Sequence, residues 1–110
     1  MNKTICVIGI GRVGLPLSLA FSEAGFKIYG LDIDEKLISK LKNKEMPFME
    51  KGGKELLTKH VGTNFIPTLN SEIIKDSDYV ILTLGTPVDE HLNPDYSQLD
   101  KVLPIIKENL

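Results

Sequence analysis

Residues 4–14, with the sequence TICVIGIGRVG, decide the fold of this chain. The run begins with Thr4–Ile8, whose continuous apolar character predicts a parallel strand that is covered on both faces. Residues 9–14 (GIGRVG) follow with the spacing G-x-G-x-x-G, and apolar residues resume at Leu15 in a pattern that predicts a helix. A glycine-rich turn between a strand and a helix is the context in which this spacing predicts a dinucleotide site.

Each glycine of the turn has a separate predicted role. Gly9 permits the tight turn, Gly11 lacks a Cβ and so lets a pyrophosphate approach the backbone, and Gly14 lets the helix pack against the strand. The free amide groups and the positive dipole end of the helix then face the diphosphate. Arg12 and Val13 complete the candidate site; the Arg12 side chain either contacts a phosphate or is solvated, and both alternatives stay open.

An acidic residue follows the second predicted strand at the expected distance. Residues 26–31 read as that strand, and Asp32 comes eighteen positions after Gly14. A carboxylate there can accept hydrogen bonds from the adenosine ribose, and together with Asp34 it would repel the 2′-phosphate of NADP. The sequence therefore predicts NAD as the cofactor. The alternative is a glycine turn that only connects two elements, with Asp32 a solvated residue at a strand end.

Strands and helices continue to alternate along the rest of the chain, which favours parallel strands with right-handed crossovers. The predicted fold is α/β, a Rossmann-type doubly wound parallel sheet that is incomplete, with about four strands and flanking helices. Pro67 weakens the third strand, and Pro104 predicts a kink or early break in the last helix. The predicted elements after Asp34 are a helix capped by Asp34, a loop at 46–53, a helix at 54–59, a strand at 64–68, a helical turn at 71–75, a buried strand at 78–84, a polar loop at 85–97 and a final helix.

Composition excludes several classes of protein. The 110 residues are 42% hydrophobic, which suits one globular domain, and the net charge of −2 argues against nucleic-acid or membrane-surface binding. The apolar runs are much shorter than the ~20 residues of a membrane span. The single cysteine, Cys6, excludes an intrachain disulfide and favours a reducing, cytoplasmic setting. His60 and His91 are isolated, so no metal site is predicted.

The loop after the last predicted strand holds a further candidate residue. Ligands of open parallel sheets bind outside the carboxyl ends of the strands, and Gly85-Thr86-Pro87 lies directly after one. Thr86 would place a hydroxyl beside the central or nicotinamide part of the cofactor. The alternative is a rigid turn with no ligand, since proline and glycine are common in turns.

Three stretches together resemble the N-terminal part of the UDP-glucose/GDP-mannose dehydrogenase family, which includes the UDP-N-acetylmannosamine dehydrogenases. They are residues 9–17 with 31–34, residues 46–50 (MPFME), and residues 84–97 (LGTPVDEHLNPDYS), whose Gly-Thr-Pro-x-Asp and Pro-Asp-x-Ser are the most specific. The resemblance implies oxidation of a sugar C6 alcohol to a carboxylate in two NAD-dependent steps. It implies NAD contacts at Gly9, Gly11, Gly14, Asp32 and Thr86, whereas the family often has an aromatic residue in place of Arg12.

The resemblance also implies that the catalytic part is absent. The family's nucleophilic cysteine, assisting lysine and sugar-nucleotide site lie beyond this length of chain, and Cys6 does not replace that nucleophile. We therefore predict that residues 1–110 are the truncated N-terminal NAD-binding domain of a homo-oligomeric enzyme whose other ligand is a sugar nucleotide, and that alone they bind NAD without catalysis. The alternatives are a stand-alone dinucleotide-sensing module, or part of a hydroxyacid dehydrogenase of the 6-phosphogluconate or 3-hydroxyisobutyrate type.

Overall fold

The computed structural model describes residues 3–49, 51–83 and 97–109, and in this part of the chain strands alternate with helices as predicted. The strands are β1 (Thr4–Ile8), β2 (Lys27–Leu31), β3 (Phe65–Thr68) and β4 (Tyr79–Leu82). The helices are α1 (Gly14–Glu23), α2 (Glu35–Lys42), α3 (Gly53–His60), a 3-10 helix (Ser71–Asp76) and α4 (Ser97–Asn109).

The four strands form one parallel sheet in the order β3-β2-β1-β4. The chain moves outward from β1 to β3 and then returns past β1 to form β4. The strand order therefore reverses beside β1, the position at which doubly wound sheets bind ligands. All four strands end at the same edge, called here the carboxyl edge. This arrangement confirms the Rossmann-type prediction.

Both faces of β1 are covered: its side chains point alternately to opposite sides of the sheet, and core residues pack on each side. Ile5 and Val7 lie in the larger core cluster, which the residues of α1, α2 and α3 complete. Cys6 and Ile8 lie in the smaller cluster on the other face, with Ile74 of the 3-10 helix and Ile106 of α4 packed there. The four side chains are at most 6% exposed, as the solid apolar run predicts.

Of three local glycine and proline signals, the structure agrees with two. Gly25 follows the end of α1 with a φ of 101°, the left-handed conformation that glycine adopts most readily. Pro67 lies in β3, at the edge of the sheet, where the missing N–H removes no bond within the sheet. Pro104 lies inside α4, which continues to Asn109, so the predicted early break is wrong.

The prediction of a buried strand at residues 78–84 is only partly right. The strand β4 spans Tyr79–Leu82, and its side chains are half-buried or exposed, with Tyr79 56% exposed. Within the described residues β4 pairs with β1 alone and is an edge strand. The apolar run predicted cover on both faces, but it carries no information about how many neighbours the strand has.

A polar network lies at the opposite edge of the sheet, called here the amino edge. It joins the ends of α1 and α3 through Glu23 and the buried His60. The two ring nitrogens of His60 lie 2.6 Å from Glu23 Oε2 and 2.6 Å from Asn64 Oδ1. The Asn64 amide donates to the Ser22 carbonyl at 2.6 Å, and Lys59 Nζ lies 3.0 Å from Glu23 Oε1. The network fixes the far end of α1.

Candidate functional site: the glycine turn at the carboxyl edge

The glycine turn after β1 is held tightly against its neighbours. Gly9 has a φ of 88°, and its amide donates to the Leu31 carbonyl at 2.8 Å. A Cβ on Gly14 would collide with the Gly9 carbonyl oxygen and would lie 2.5 Å from the Thr83 hydroxyl. Gly14 is therefore required for the close approach of α1 to β1, as predicted from the spacing.

Gly11 differs from the other two glycines, because nothing in the described structure requires it. Its φ lies outside the left-handed region, and a Cβ built on it would have no heavy atom within 4 Å. The residue is exposed at the crest of the turn. The open space in front of Gly11 is what the close approach of a phosphate to the backbone needs.

The N-terminus of α1 also lies open at this turn. Its N-cap, Val13, is 67% exposed and makes no capping hydrogen bond through its side chain. The first turn of α1 contains no acidic residue. Among the described residues, neither the N-cap nor the first turn supplies a negative charge to the positive end of the helix dipole, which favours an anion there.

Asp32 connects the turn to the end of β2. Its Oδ2 accepts a hydrogen bond from the Ile10 amide at 3.0 Å, and its Oδ1 accepts one from the Asp34 amide at 3.0 Å. Each carboxylate oxygen keeps further acceptor capacity, because an ionised carboxylate has about four lone-pair sites. Asp32 is thus half-buried and fixed in place, with room to accept hydrogen bonds from a ligand.

A cleft of about 720 Å³ lies along the carboxyl edge at this point. Five predicted site residues line it, whereas Gly14 lies behind the turn and Thr86 lies outside the described residues. The remaining lining is mainly apolar and comes from the ends of β1 and β2, from the residues after β2 and β3, and from α2, the 3-10 helix and α4. The five are Gly9, Gly11, Arg12, Val13 and Asp32, and the apolar lining includes Ile33, Leu69, Ile74, Ile105 and Ile106.

The Arg12 side chain packs against an aromatic ring rather than extending freely into solvent. Its guanidinium carbon lies 5.3 Å from the centroid of the Phe48 ring, within the range of a cation–π contact. Phe48 belongs to the connection between α2 and α3 and packs against the larger core cluster. From the sequence, contact of Arg12 with a phosphate and solvation of its side chain both stay open, and no signal there indicates Phe48 as a partner.

Thr83, just after β4, is the other residue that sequence analysis missed. Its hydroxyl lies within hydrogen-bond distance of the carbonyl oxygens of Ile8 and Gly9, and its amide donates to Ile8 at 2.9 Å. Thr83 therefore holds the start of the glycine turn, where β1 ends. The sequence signal that could have identified Thr83 is its position at the end of a predicted strand, since ligands of open parallel sheets bind near the carboxyl ends of the strands.

Within the described part of the chain, the remaining candidate side chains do not form a second site. Burial raises the pKa of the Cys6 thiol to about 12, so the thiolate is scarce at neutral pH and the residue is a small core side chain. His91 lies outside the described residues. Among residues 3–49, 51–83 and 97–109, no three His, Cys, Asp or Glu side chains converge on one point. Over the same described residues, every helix is too short or too polar to cross a bilayer.

The open space at Gly11, the uncapped α1 and the acceptors of Asp32 fit a dinucleotide. Comparison with known proteins agrees, since the family model for the UDP-glucose/GDP-mannose dehydrogenase family, NAD binding domain, matches residues 3–110. The chain belongs to this family. The match favours the predicted nucleotide-sugar dehydrogenase domain over the sensor module and the hydroxyacid dehydrogenases. NAD is the cofactor of this family domain.

Individual relatives show the same relationship. A protein of Methanocaldococcus jannaschii that is named as uncharacterized is 42% identical over 106 residues, covering 96% of this chain and 12% of that protein. The UDP-glucose 6-dehydrogenase TuaD of Bacillus subtilis is 36% identical over 114 residues, covering 98% of this chain and 24% of TuaD. The chain therefore spans about a quarter or less of the length of these family members.

Solved structures of the family have the same fold. The NDP-N-acetyl-D-galactosaminuronic acid dehydrogenase of Methanosarcina mazei Go1 superposes with a TM-score of 0.88 at 30% identity. The superposition covers 99% of this chain and 25% of that enzyme. The alternation of strands and helices seen here is thus the fold of the corresponding quarter of a family dehydrogenase.

Proposed function

We propose that residues 1–110 form the N-terminal domain that holds NAD in a nucleotide-sugar dehydrogenase. The observation that carries the proposal is the open turn at Gly11, which faces the uncapped end of α1 and lies in the same cleft as Asp32. In the whole enzyme, NAD accepts a hydride when the C6 alcohol of a UDP-sugar is oxidised toward the uronate. The nucleophile and the sugar site belong to other parts of that enzyme.

The diphosphate of NAD is proposed to lie over the glycine turn. Backbone amides at Gly11, Arg12 and Val13 would donate to the phosphate oxygens, and the dipole of α1 would favour their negative charge. Gly9 and Gly14 shape the turn without needing to touch the ligand. Arg12, which lines the cleft, would add a cationic side chain at the same place.

The adenosine is proposed to lie on the other side of Asp32. Its carboxylate would accept hydrogen bonds from both ribose hydroxyls, and with Asp34 it would repel the extra phosphate of NADP. The apolar lining that Leu69, Ile74 and Ile106 supply suits the adenine ring, whose faces are apolar. We further propose that Thr86 contacts the nicotinamide side.

A binding experiment tests this assignment. Calorimetric titration of the protein with NAD and with NADP should show binding that favours NAD. Asp32→Asn should weaken NAD binding by about 1–3 kcal/mol, since charge-assisted hydrogen bonds are lost, and should narrow the preference over NADP. Asp76→Asn, which removes an exposed charge outside the cleft, is the matched control. Absence of NAD binding, or equal effects of the two variants, would contradict the proposal.

The setting and assembly are also proposals. A buried thiol at Cys6 and a dinucleotide cofactor suit a reducing, cytoplasmic compartment and, for a UDP-sugar dehydrogenase, a role in polysaccharide biosynthesis. Among the described residues, the exposed Tyr79 and the edge position of β4 suit self-association of residues 1–110, and we separately propose that the whole enzyme is a homo-oligomer. Analytical ultracentrifugation at several protein concentrations tests the proposed homo-oligomer. A monomer at every concentration would contradict it.

A further inference from the structure

The connection between α2 and α3 brings an aromatic side chain to the glycine turn. Phe48 is half-buried, and one side of it packs against the core cluster that α1, α2 and α3 share. Its ring also faces Arg12, with 5.3 Å between the ring centroid and the guanidinium carbon. The position of the Arg12 side chain is therefore coupled to a segment 36 residues farther along the chain.

This contact leaves the hydrogen-bonding capacity of Arg12 free. A guanidinium group is planar, and its five N–H donors point outward in that plane. One aromatic ring can engage only part of the group, so further N–H donors can still bind an anion. The contact also limits the conformations of a long side chain that would otherwise lose rotamer freedom on binding a ligand.

The charges around the cleft give Arg12 a specific ligand chemistry. Among the described residues that line the cleft, Arg12 is the one cationic side chain, and it is accompanied by Asp32 and Asp34. The two acids disfavour an anion near them, whereas Arg12 extends from the turn whose open amides favour one. A diphosphate thus finds its one side-chain counter-charge at Arg12.

We propose that Phe48 is a positioning residue that holds Arg12 ready to bind the diphosphate of the cofactor. The proposal rests on the proposed NAD function and deepens it, because it adds a residue outside the glycine motif to the phosphate site. Phe48 itself does not touch the phosphate. Its effect on affinity passes through the guanidinium.

Ligand fragments separate this role from a merely structural one. Binding of adenosine, ADP and NAD is measured by NMR titration for the unmodified protein, Phe48→Leu, Phe48→Tyr and Arg12→Ala. Phe48→Leu should weaken ADP and NAD binding by about two- to fivefold, the fold-change that corresponds to an exposed cation–π contact. Adenosine binding should not change, and Phe48→Tyr, which keeps the ring, should bind like the unmodified protein.

Two further measurements complete the test. In the Arg12→Ala background, Phe48→Leu should cause no additional loss, because a residue that acts through Arg12 has no effect without it. Met46→Leu, in the same connection and packed on the same cluster, should leave all three affinities unchanged.

The outcomes distinguish the two proposals. Equal losses for adenosine and ADP, an additive loss in the double variant, or no loss in Phe48→Leu would overturn the role of Phe48 while leaving the NAD site intact. Failure of the unmodified protein to bind either ADP or NAD would overturn the proposed function. The Arg12 δ-proton signals should also shift in Phe48→Leu as the ring current is lost, and unchanged signals would contradict the contact without any ligand.

Discussion

The helices α1 and α2 begin at the same edge of the sheet, yet their N-termini are built in opposite ways. Asp34 caps α2 by accepting hydrogen bonds from the amides of Lys36 and Leu37 at 3.0 and 3.2 Å, and Glu35 adds a negative charge in the first turn. Val13 offers α1 neither a cap nor a charge. The end of α2 is satisfied by its own chain, whereas in the described part of the chain the end of α1 has no such cap, which favours an anion there.

The largest expected effect comes from adding a side chain at Gly14, where α1 packs directly against the glycine turn. Gly14→Ala should lower the free energy of unfolding by about 1–3 kcal/mol, because its Cβ would meet the Gly9 backbone, which cannot move aside as a flexible side chain could. Urea denaturation measures the change. The gain in helix propensity from alanine is smaller than this clash, so a more stable variant would show that the turn relaxes easily.

Gly11→Ala tests the front of the same turn. The Cβ would enter open space, so stability should stay within about 0.5 kcal/mol of the unmodified protein. NAD binding should weaken by about 1–3 kcal/mol, since the methyl group occupies the approach of the diphosphate. Calorimetry and denaturation on the same sample give both values. Unchanged NAD affinity would show that the ligand does not approach Gly11.

Removing the cap of α2 should lower the stability of the protein, in addition to weakening the proposed discrimination of Asp34 against NADP. Asp34→Ala should lower the free energy of unfolding by about 1 kcal/mol, the typical value for loss of an N-cap side chain. Asp34→Ser, which keeps an oxygen acceptor, should recover most of it. Val13→Ala, at the matching position of α1, should change stability by less than about 0.5 kcal/mol. Equal losses at both positions would remove the contrast between the two helices.

The smallest expected effect lies at the amino edge and concerns pH. Hydrogen bonds from His60 and Lys59 hold the pKa of Glu23 below its ordinary value of 4.5. A carboxylate with a lowered folded-state pKa stabilises the protein above the ordinary value, and this contribution is lost as the pH falls below it. As the pH is lowered from 6, the free energy of unfolding should therefore fall more steeply for the unmodified protein than for Glu23→Gln. The same slope in both proteins would contradict this.

The Glu23→Gln variant also serves as a control for the carboxyl edge. Its side chain lies at the far end of α1 and a glutamine can still accept a hydrogen bond from His60, so NAD affinity at neutral pH should not change. A loss of affinity would mean that α1 is held in place only when residue 23 carries a charge.

Local features could be predicted from the sequence, and features made by distant residues could not. The turn at Gly9, the helix contact of Gly14 and the cap at Asp34 depend on a few neighbouring residues, so spacing was sufficient. The hydrogen bonds of Thr83 to the turn and the contact of Phe48 with Arg12 join residues that are far apart in sequence. Nothing in their own segments indicates those partners.

The prediction for β4 was wrong about burial for a related reason. An apolar run indicates which side chains would gain free energy from burial. Whether they are buried depends on the elements that pack beside them. Tyr79 is more than half exposed because β4 is at the edge of the described sheet. The contribution of Ile105 and Ile106 to the cleft lining was not predicted for the same reason. The hydrophobic periodicity of α4 indicates an apolar face but not the element against which that face packs.

The network of His60 and Asn64 has a consequence at the opposite end of α1. Because Glu23 is bonded to α3 there and the Ser22 carbonyl accepts from Asn64, the helix cannot easily shift or tilt. The amides at the tip are then oriented before a coenzyme arrives. Association should lose little conformational entropy, and its rate should be limited by diffusion and desolvation rather than by rearrangement of the protein.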